Sequence, residues 1–458
     1  MRGRFWPLAA AVYLGACLVL GGASSAGVAA NAFLQLLGLG LIVALLWQRD
    51  FSVPDGARGP MWIAAALLLV GLVSLVPLGL GSGLPLRAQL EAAYRLMGMA
   101  PPPLSASLAP PLTLNSLLHL IPPAAMFLLV LRLPNEERRR LPTVLLAVAG
   151  VSVVLGAFQL MGGTGSPLRP YAITNPSSPV GFFANANHQV TLLLCALPLT
   201  AVIAGRMATR RSRSKRSGGV IISASIAIFF AAGIAIGGSS AGYGLAVPVA
   251  VASFLIYRRT VAGRVGAIWW GALAALALVF AFAGLRGPLG QESFEGELNA
   301  SHPTSRRVLT STTVEIIKDS FPVGTGLGTF STVYRRYENP GKVTGTFANH
   351  AHNDYVEAVM ELGAPGLLLI LAFLYWWGRR AYSAWSRDFE GAALARAGSV
   401  IVGIVLTHSI VDYPIRTAAI VAVFAFGCAL MVPPVPRRST AEPAEDESSA
   451  PLRHIEAV

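Results

Sequence analysis

Long apolar runs alternating with short polar joints set the pattern of this chain. An α-helix needs about 20 apolar residues to cross a bilayer. Such runs recur at 5–22, 28–47, 60–80, 114–132, 142–162, 188–205, 219–238, 240–257, 265–284, 364–378, 397–411 and 417–433, which predicts about twelve spans. Lipid offers the backbone no hydrogen-bond partners, so runs of this kind are expected as helices and the fold as an all-α polytopic membrane protein. Among the stretches that join the runs are 81–113, 163–187, 285–363 and 408–416. Of these, 81–113 carries a helical piece, Arg87 to Met99, suited to the membrane surface. The expected organisation is a transmembrane bundle over 1–284, a large loop over 285–363 and C-terminal helices over 364–433. A tail over 434–458 is too poor in apolar residues to pack and is expected to be a disordered cytoplasmic end.

Composition strengthens this reading and charge orients it. Hydrophobic residues make up 54% of the 458 and charged residues 12%, with a mean hydropathy of +0.60. A net charge of +13 would suggest nucleic acid in a soluble protein. Here the arginines fall in alternate joints: Arg2 and Arg4, Arg49 and Arg58, Arg138 to Arg140, Arg206 to Arg216, Arg258 to Arg264, Arg379 to Arg396, then Arg437 and Arg438. The positive-inside rule places those joints and both termini in the cytoplasm, and no nucleic-acid partner is expected. The segments 163–187, 285–363 and 408–416 then face outward. Cys17, Cys195 and Cys428 lie within apolar runs and read as packing residues. The basic flank and apolar run at the N-terminus read as a first span.

The outward segments hold the candidate chemistry. His350 to Gly366 gathers two histidines, two glutamates and an aspartate ahead of the run Leu367 to Trp377. Asn353, Glu357 and Glu361 recur every four residues and share one helical face. His352 suits a general base, since an imidazole titrates near neutrality, with Glu357 or Asp354 to orient it. A zinc site from His302, His350 and His352 lacks the helical His-x-x-x-His spacing, so no metal is expected. The segment Gly181 to Gln189 opens a span with Asn185, Asn187 and His188. Its amides cap a helix start, present a hydrogen-bonding surface to a sugar or phosphate, or do both. Gly324, Gly326 and Gly328 lack a Walker lysine and read as tight turns or a close backbone approach. Arg306, Arg307, Arg335 and Arg336 run against the orientation bias; paired guanidinium groups suit diphosphate, and anionic lipid headgroups are the alternative. His408, Asp412 and Arg416 end two spans, where a structural Asp412–Arg416 pair is expected over direct catalysis.

His352-Asn353, nine residues and then Gly363-Ala364-Pro365-Gly366 resembles the His-Asn-x9-Gly-x-x-Gly pattern of the O-antigen ligase and polymerase superfamily. The Gly-x-Gly-x-Gly segment, Gly181 to Asn187 and His408 to Arg416 are similar to further motifs of that family, in order, over roughly 170–416. The resemblance implies a GT-C-like, metal-independent glycosyltransferase of the bacterial inner membrane with its large loop in the periplasm. The implied donor is a saccharide on undecaprenyl diphosphate, and the acceptor a growing glycan, a lipid A core or a protein. No cofactor is expected. It also implies His352 as the base, Arg306, Arg307, Arg416 and Arg169 toward the diphosphate, and Asn185, Asn187, His350, Asn353, Glu357, His408 and Asp412 in support. The family's arginine just ahead of Gly-x-Phe is replaced here by Ser177 to Val180, with Arg169 nearest, and its Ser-Arg turn by Ser239-Ser240. A transporter is the rival class: about twelve spans and Pro122-Pro123 fit it, but the sparse charge within the spans does not.

Overall fold

The computed structural model describes residues 2–24, 28–48, 51–210, 212–261, 305–342 and 348–434. The span expected at 265–284, His302, the first part of the 285–363 loop and residues 435–458 lie outside these. Among the described residues every regular element is helical. In chain order the α-helices are α1 (Arg2–Leu20), α2 (Ala29–Leu46), α3 (Asp55–Leu75), α4 (Pro85–Leu96), α5 (Pro110–Leu118), α6 (Ile121–Arg132), α7 (Asn135–Arg138) and α8 (Leu141–Met161). They continue as α9 (Ala186–Ala208), α10 (Arg213–Ile236), α11 (Ser240–Val261), α12 (Arg306–Ser320), α13 (Phe330–Tyr337), α14 (Asp354–Ser386), α15 (Ala392–His408) and α16 (Ala418–Leu430). Among the described residues, eight helical stretches are long and apolar enough to cross a membrane, and Arg4–Leu20, Ala392–His408 and Ala418–Leu430 are apolar but shorter. This is a helical membrane protein.

A helix that is apolar all round belongs in the interior, and α9 is that helix. From Val190 to Val202 every side chain is buried, and α8, α10, α11, α15 and α16 pack around it. The basic joints do structural work as well. Arg138, almost wholly buried, donates to the carbonyls of Leu131 and Leu133 at the end of α6 and to those of Ala429 and Val432 at the end of α16. Helix ends leave carbonyls without intrahelical donors, and one guanidinium here serves two ends. The run expected at 114–132 is two helices, α5 and α6, meeting just before Pro122 and Pro123. The run expected at 364–378 starts ten residues earlier than predicted, as part of the 33-residue α14.

That helix is bent at Gly363, whose φ of 63° and ψ of −141° leave helical space. Pro365 has no N–H to give Glu361, and Ala364 N donates instead to Pro322 O at 2.9 Å. The carbonyls of Met360 and Glu361 are taken over by the glycine-rich segment: Thr325 N reaches both at 3.1 Å, and Gly326 N reaches Glu361 O at 2.8 Å. Gly324, Gly326 and Gly328 all have positive φ. A Cβ on Gly324 would stand 2.6 Å from Glu361 O, so the close approach predicted for these glycines is to the backbone of α14. Arg87 extends the splice, donating to the carbonyls of Ser105, Ala106 and Gly324. The 81–113 connection is thereby locked onto the loop that supports the bend.

Candidate functional site

The first turn of α14 is held by Asn353, whose side chain accepts from the amides of Tyr355 and Val356 at 3.0 Å each. Its own amide donates to Ile410 O at 2.8 Å. This cap fixes the helix start against the turn that follows α15, and Asp354 N donates to Ser409 O at 2.9 Å. Asp354, Glu357 and Glu361 then project from one face. All three are buried, and all three meet Arg416, from a 3-10 turn at Pro414–Arg416. The guanidinium lies 3.3 Å from Asp354 Oδ1, 3.3 Å from Glu357 Oε1 and 3.1 Å from Glu361 Oε2. Burial alone would lower the Arg416 pKa, but Glu357, Glu361 and Asp354 hold it raised. Asp354 also accepts from Ser409 Oγ at 2.8 Å, and Glu357 from His350 Nδ1 and Ala351 N, both at 2.8 Å.

Asp412 belongs to a second group. The expected Asp412–Arg416 pair does not form: Arg416 turns to the acids of α14, while Asp412 faces imidazoles. His352 Nδ1 lies 3.5 Å from Asp412 Oδ1, which also accepts from Tyr413 N at 2.9 Å. Neither Glu357 nor Asp354 orients His352 as expected, since both are spent on Arg416, His350 and Ser409. Burial alone would raise the Asp412 carboxyl, yet its contact with His352 and the imidazoles of His188 and His408 nearby hold it well below the usual carboxylate range. His352 itself sits at φ 52°, the one non-glycine residue with positive φ among those described. Strain of that kind is kept only where surrounding structure enforces it, and it concentrates at functional sites.

Tyr413 separates the two groups. Its ring centroid lies 4.5 Å from that of His350, 4.8 Å from His352 and 5.2 Å from His188. Burial first, then the Asp412 carboxylate, push its phenol up to about 12, so it stays neutral and accepts from Asn349 Nδ2 at 3.3 Å. His408 bonds Thr191 Oγ1 through Nδ1 at 2.7 Å. Since the threonine hydroxyl donates to Asn187 O, His408 Nδ1 must carry the proton. Asn185 caps α9 by accepting from Asn187 N at 2.8 Å, the capping role read from the sequence.

Four arginines were expected at a diphosphate, and their surroundings differ. Arg306 and Arg307 open α12 behind Ser305, which caps it by accepting from Val308 N. Arg306 is close enough to His408 to act on it electrostatically, and Arg307 is exposed. Arg416 is enclosed by carboxylates. Arg169 donates to the backbone carbonyls of Asn175, Pro176 and Ser178 and so braces its own loop. A cavity of about 630 Å³ opens on the Arg416 side of Tyr413, with His350, Asp354, Glu357, Glu361 and Arg416 in its wall beside Asn115, Ser116 and His119. His352 is not in that wall. Sequence reasoning passed over Asp354 and Glu361 as partners of Arg416, although their i, i+7 spacing with Glu357 between them was visible. His119 stands alone in an apolar run and gave no signal.

Residues 224–371 match a family model described as O-antigen ligase. The match takes in the glycine-rich segment, both histidines of the His350 loop and the bend at Gly363, and it supports an O-antigen ligase-like glycosyltransferase. No curated protein matched the chain.

Proposed function

We propose that this chain, which carries the O-antigen ligase segment over 224–371, transfers a saccharide from undecaprenyl diphosphate to an acceptor hydroxyl at the periplasmic face of the inner membrane. The observation that carries this reading is the His352–Asp412 pair at 3.5 Å, a partly exposed imidazole backed by a wholly buried carboxylate. The carboxylate faces Nδ1 at ion-pair distance without closing a hydrogen bond, a placement from which it can stabilise an imidazolium while the other nitrogen takes a substrate proton. His352 removes the proton of the acceptor hydroxyl as its oxygen attacks the anomeric carbon, and Asp412 stabilises the imidazolium that forms. The glycosidic bond to diphosphate breaks on the opposite face, so configuration inverts. The lipid diphosphate departs with the bonding electrons and needs no nucleotide to activate it. Arg306 and Arg307, at the positive end of the α12 dipole, stabilise that leaving charge. Asn185, Asn187, Asn353 and His408 hold the surrounding turns, while Glu357 and His350 shape the adjoining cavity.

Purified protein incubated with labelled undecaprenyl diphosphate saccharide and each acceptor class in turn is the direct test. Transfer is expected with one acceptor class and is expected to vanish in His352→Ala while the protein still folds and inserts. Full activity in that variant would exclude His352 as the base.

A further inference from the structure

The cavity beside Arg416 has a charge balance that a diphosphate would not choose. Its polar wall holds three carboxylates, Asp354, Glu357 and Glu361, against one guanidinium that all three already engage. A dianion there would find a single guanidinium that three acid side chains already engage. What the wall offers instead is acceptor oxygen. Glu361 is 1% exposed; its Oε2 takes Arg416 at 3.1 Å, and its Oε1 has no hydrogen-bond partner. A buried carboxylate oxygen without a donor is costly, and a ligand hydroxyl relieves that cost. Asn115 and Ser116 of α5 add an amide and a hydroxyl to the same wall, and Phe330 of α13 adds an apolar edge. The volume, about 630 Å³, lies within the range of small-molecule sites.

We propose that this cavity is a subsite for the hydroxyls of a neutral sugar, and that Glu361, through Oε1, determines which sugar it takes. The proposal rests on the glycan-transfer reading and divides the labour within it: the sugar ring is read on the Arg416 side of Tyr413, and the diphosphate stays outside. Position supports the division. Tyr413 touches His350, which lines the cavity, at 4.5 Å and His352 at 4.8 Å, so the cavity wall and the base share one aromatic ring.

The test is saturation-transfer difference NMR on the full-length protein in detergent, with glucose, galactose, rhamnose and N-acetylglucosamine in turn, each challenged with inorganic diphosphate. At least one sugar is expected to give a saturable signal that diphosphate does not displace. Its apparent Kd is expected to rise about tenfold or more in Glu361→Gln, as loss of a hydrogen bond to a charged group implies. This variant keeps the volume and leaves an amide oxygen for Arg416; Asn115→Ala, on a different helix, is expected to weaken the same sugar. No sugar signal, an equal signal in both variants, or displacement by diphosphate would overturn the subsite. Sugar binding that depends on Glu361 in a protein without transferase activity would sink the transfer reading alone. Transfer with an unchanged sugar KM in Glu361→Gln would sink the subsite alone.

Discussion

Replacing Asp412 by Asn tests the base pair with the least change of shape. The side chain is fully buried, and its Oδ1 can still accept from Tyr413 N as an amide oxygen. Only the charge facing His352 is removed. At 3.5 Å a full charge pair is worth about 5 kcal/mol at an effective dielectric of about 20. The His352 side chain is 27% exposed, so water recovers part of that, and kcat is expected to fall by about two to three orders of magnitude. KM for the donor should hold, because Asp412 acts on the imidazolium formed in the transition state and not on bound substrate. The assay is turnover of labelled lipid-linked saccharide by detergent-purified protein, with thermal unfolding as the control for structure. A further check is non-additivity: in a His352→Ala background the asparagine should cost nothing more. Stability should respond to acid in step. The folded carboxyl is held below its unfolded value of about 3.9, so its contribution is present above about pH 4 and is lost as pH falls further. The asparagine variant lacks that loss. Wild-type turnover in Asp412→Asn, at equal melting temperature, would refute the pairing of base and acid.

Other residues give separable outcomes. Arg306→Ala with Arg307→Ala is expected to raise the donor KM while leaving the melting temperature within a few degrees, read in the same turnover assay; an unaltered donor KM removes both from the diphosphate. Arg416→Ala is expected to destabilise the fold by about 3–5 kcal/mol, because it abandons three buried carboxylates; a stable variant with only a weakened donor affinity would instead make Arg416 a ligand of the diphosphate. Gly363→Ala is expected to abolish folded protein in detergent, measured by size-exclusion profile, since its φ is 63° and the new Cβ would stand 2.1 Å from Pro322 O.

Much of the architecture was legible because lipid narrows the choices. Apolar runs of spanning length have to be helices, and so the runs from Ala29 to Val261 correspond to helices to within a few residues or, at 114–132, to a pair of them. The bend of α14 was harder to read. A run scan sees Leu367 to Trp377 as apolar and begins the span near Ala364, but the helix starts at Asp354, because Asn353 caps it and the glycine segment at 324–328 repairs the carbonyls that Pro365 leaves open. That repair joins residues more than thirty positions apart, and no local pattern announces it.

The site divides along the same line. His352, His350, Asp412 and Arg416 stood out in the sequence because ionisable groups are scarce in an apolar chain, and scarcity is a property of composition. Their partners depend on which charges the folded chain brings within a few ångströms, and proximity in sequence misled. Asp412 and Arg416 are four apart, a spacing that pairs on a regular helix, but Tyr413 leaves helical geometry at φ −127° and ψ 51° and Pro414–Arg416 forms a 3-10 turn, so Asp412 meets His352 while Arg416 meets the acids of α14. The consequence is functional. With Arg416 absorbed by Asp354, Glu357 and Glu361, Asp412 is left to the imidazoles, and the polar centre splits into a carboxylate-rich cavity suited to hydroxyls and a histidine-rich face suited to moving a proton. Had the four-residue pair formed, His352 would have lost its acid, and the three acids of α14 would have stood buried without a cation. The separation of Asp412 from Arg416 is therefore the step on which both halves of the site depend.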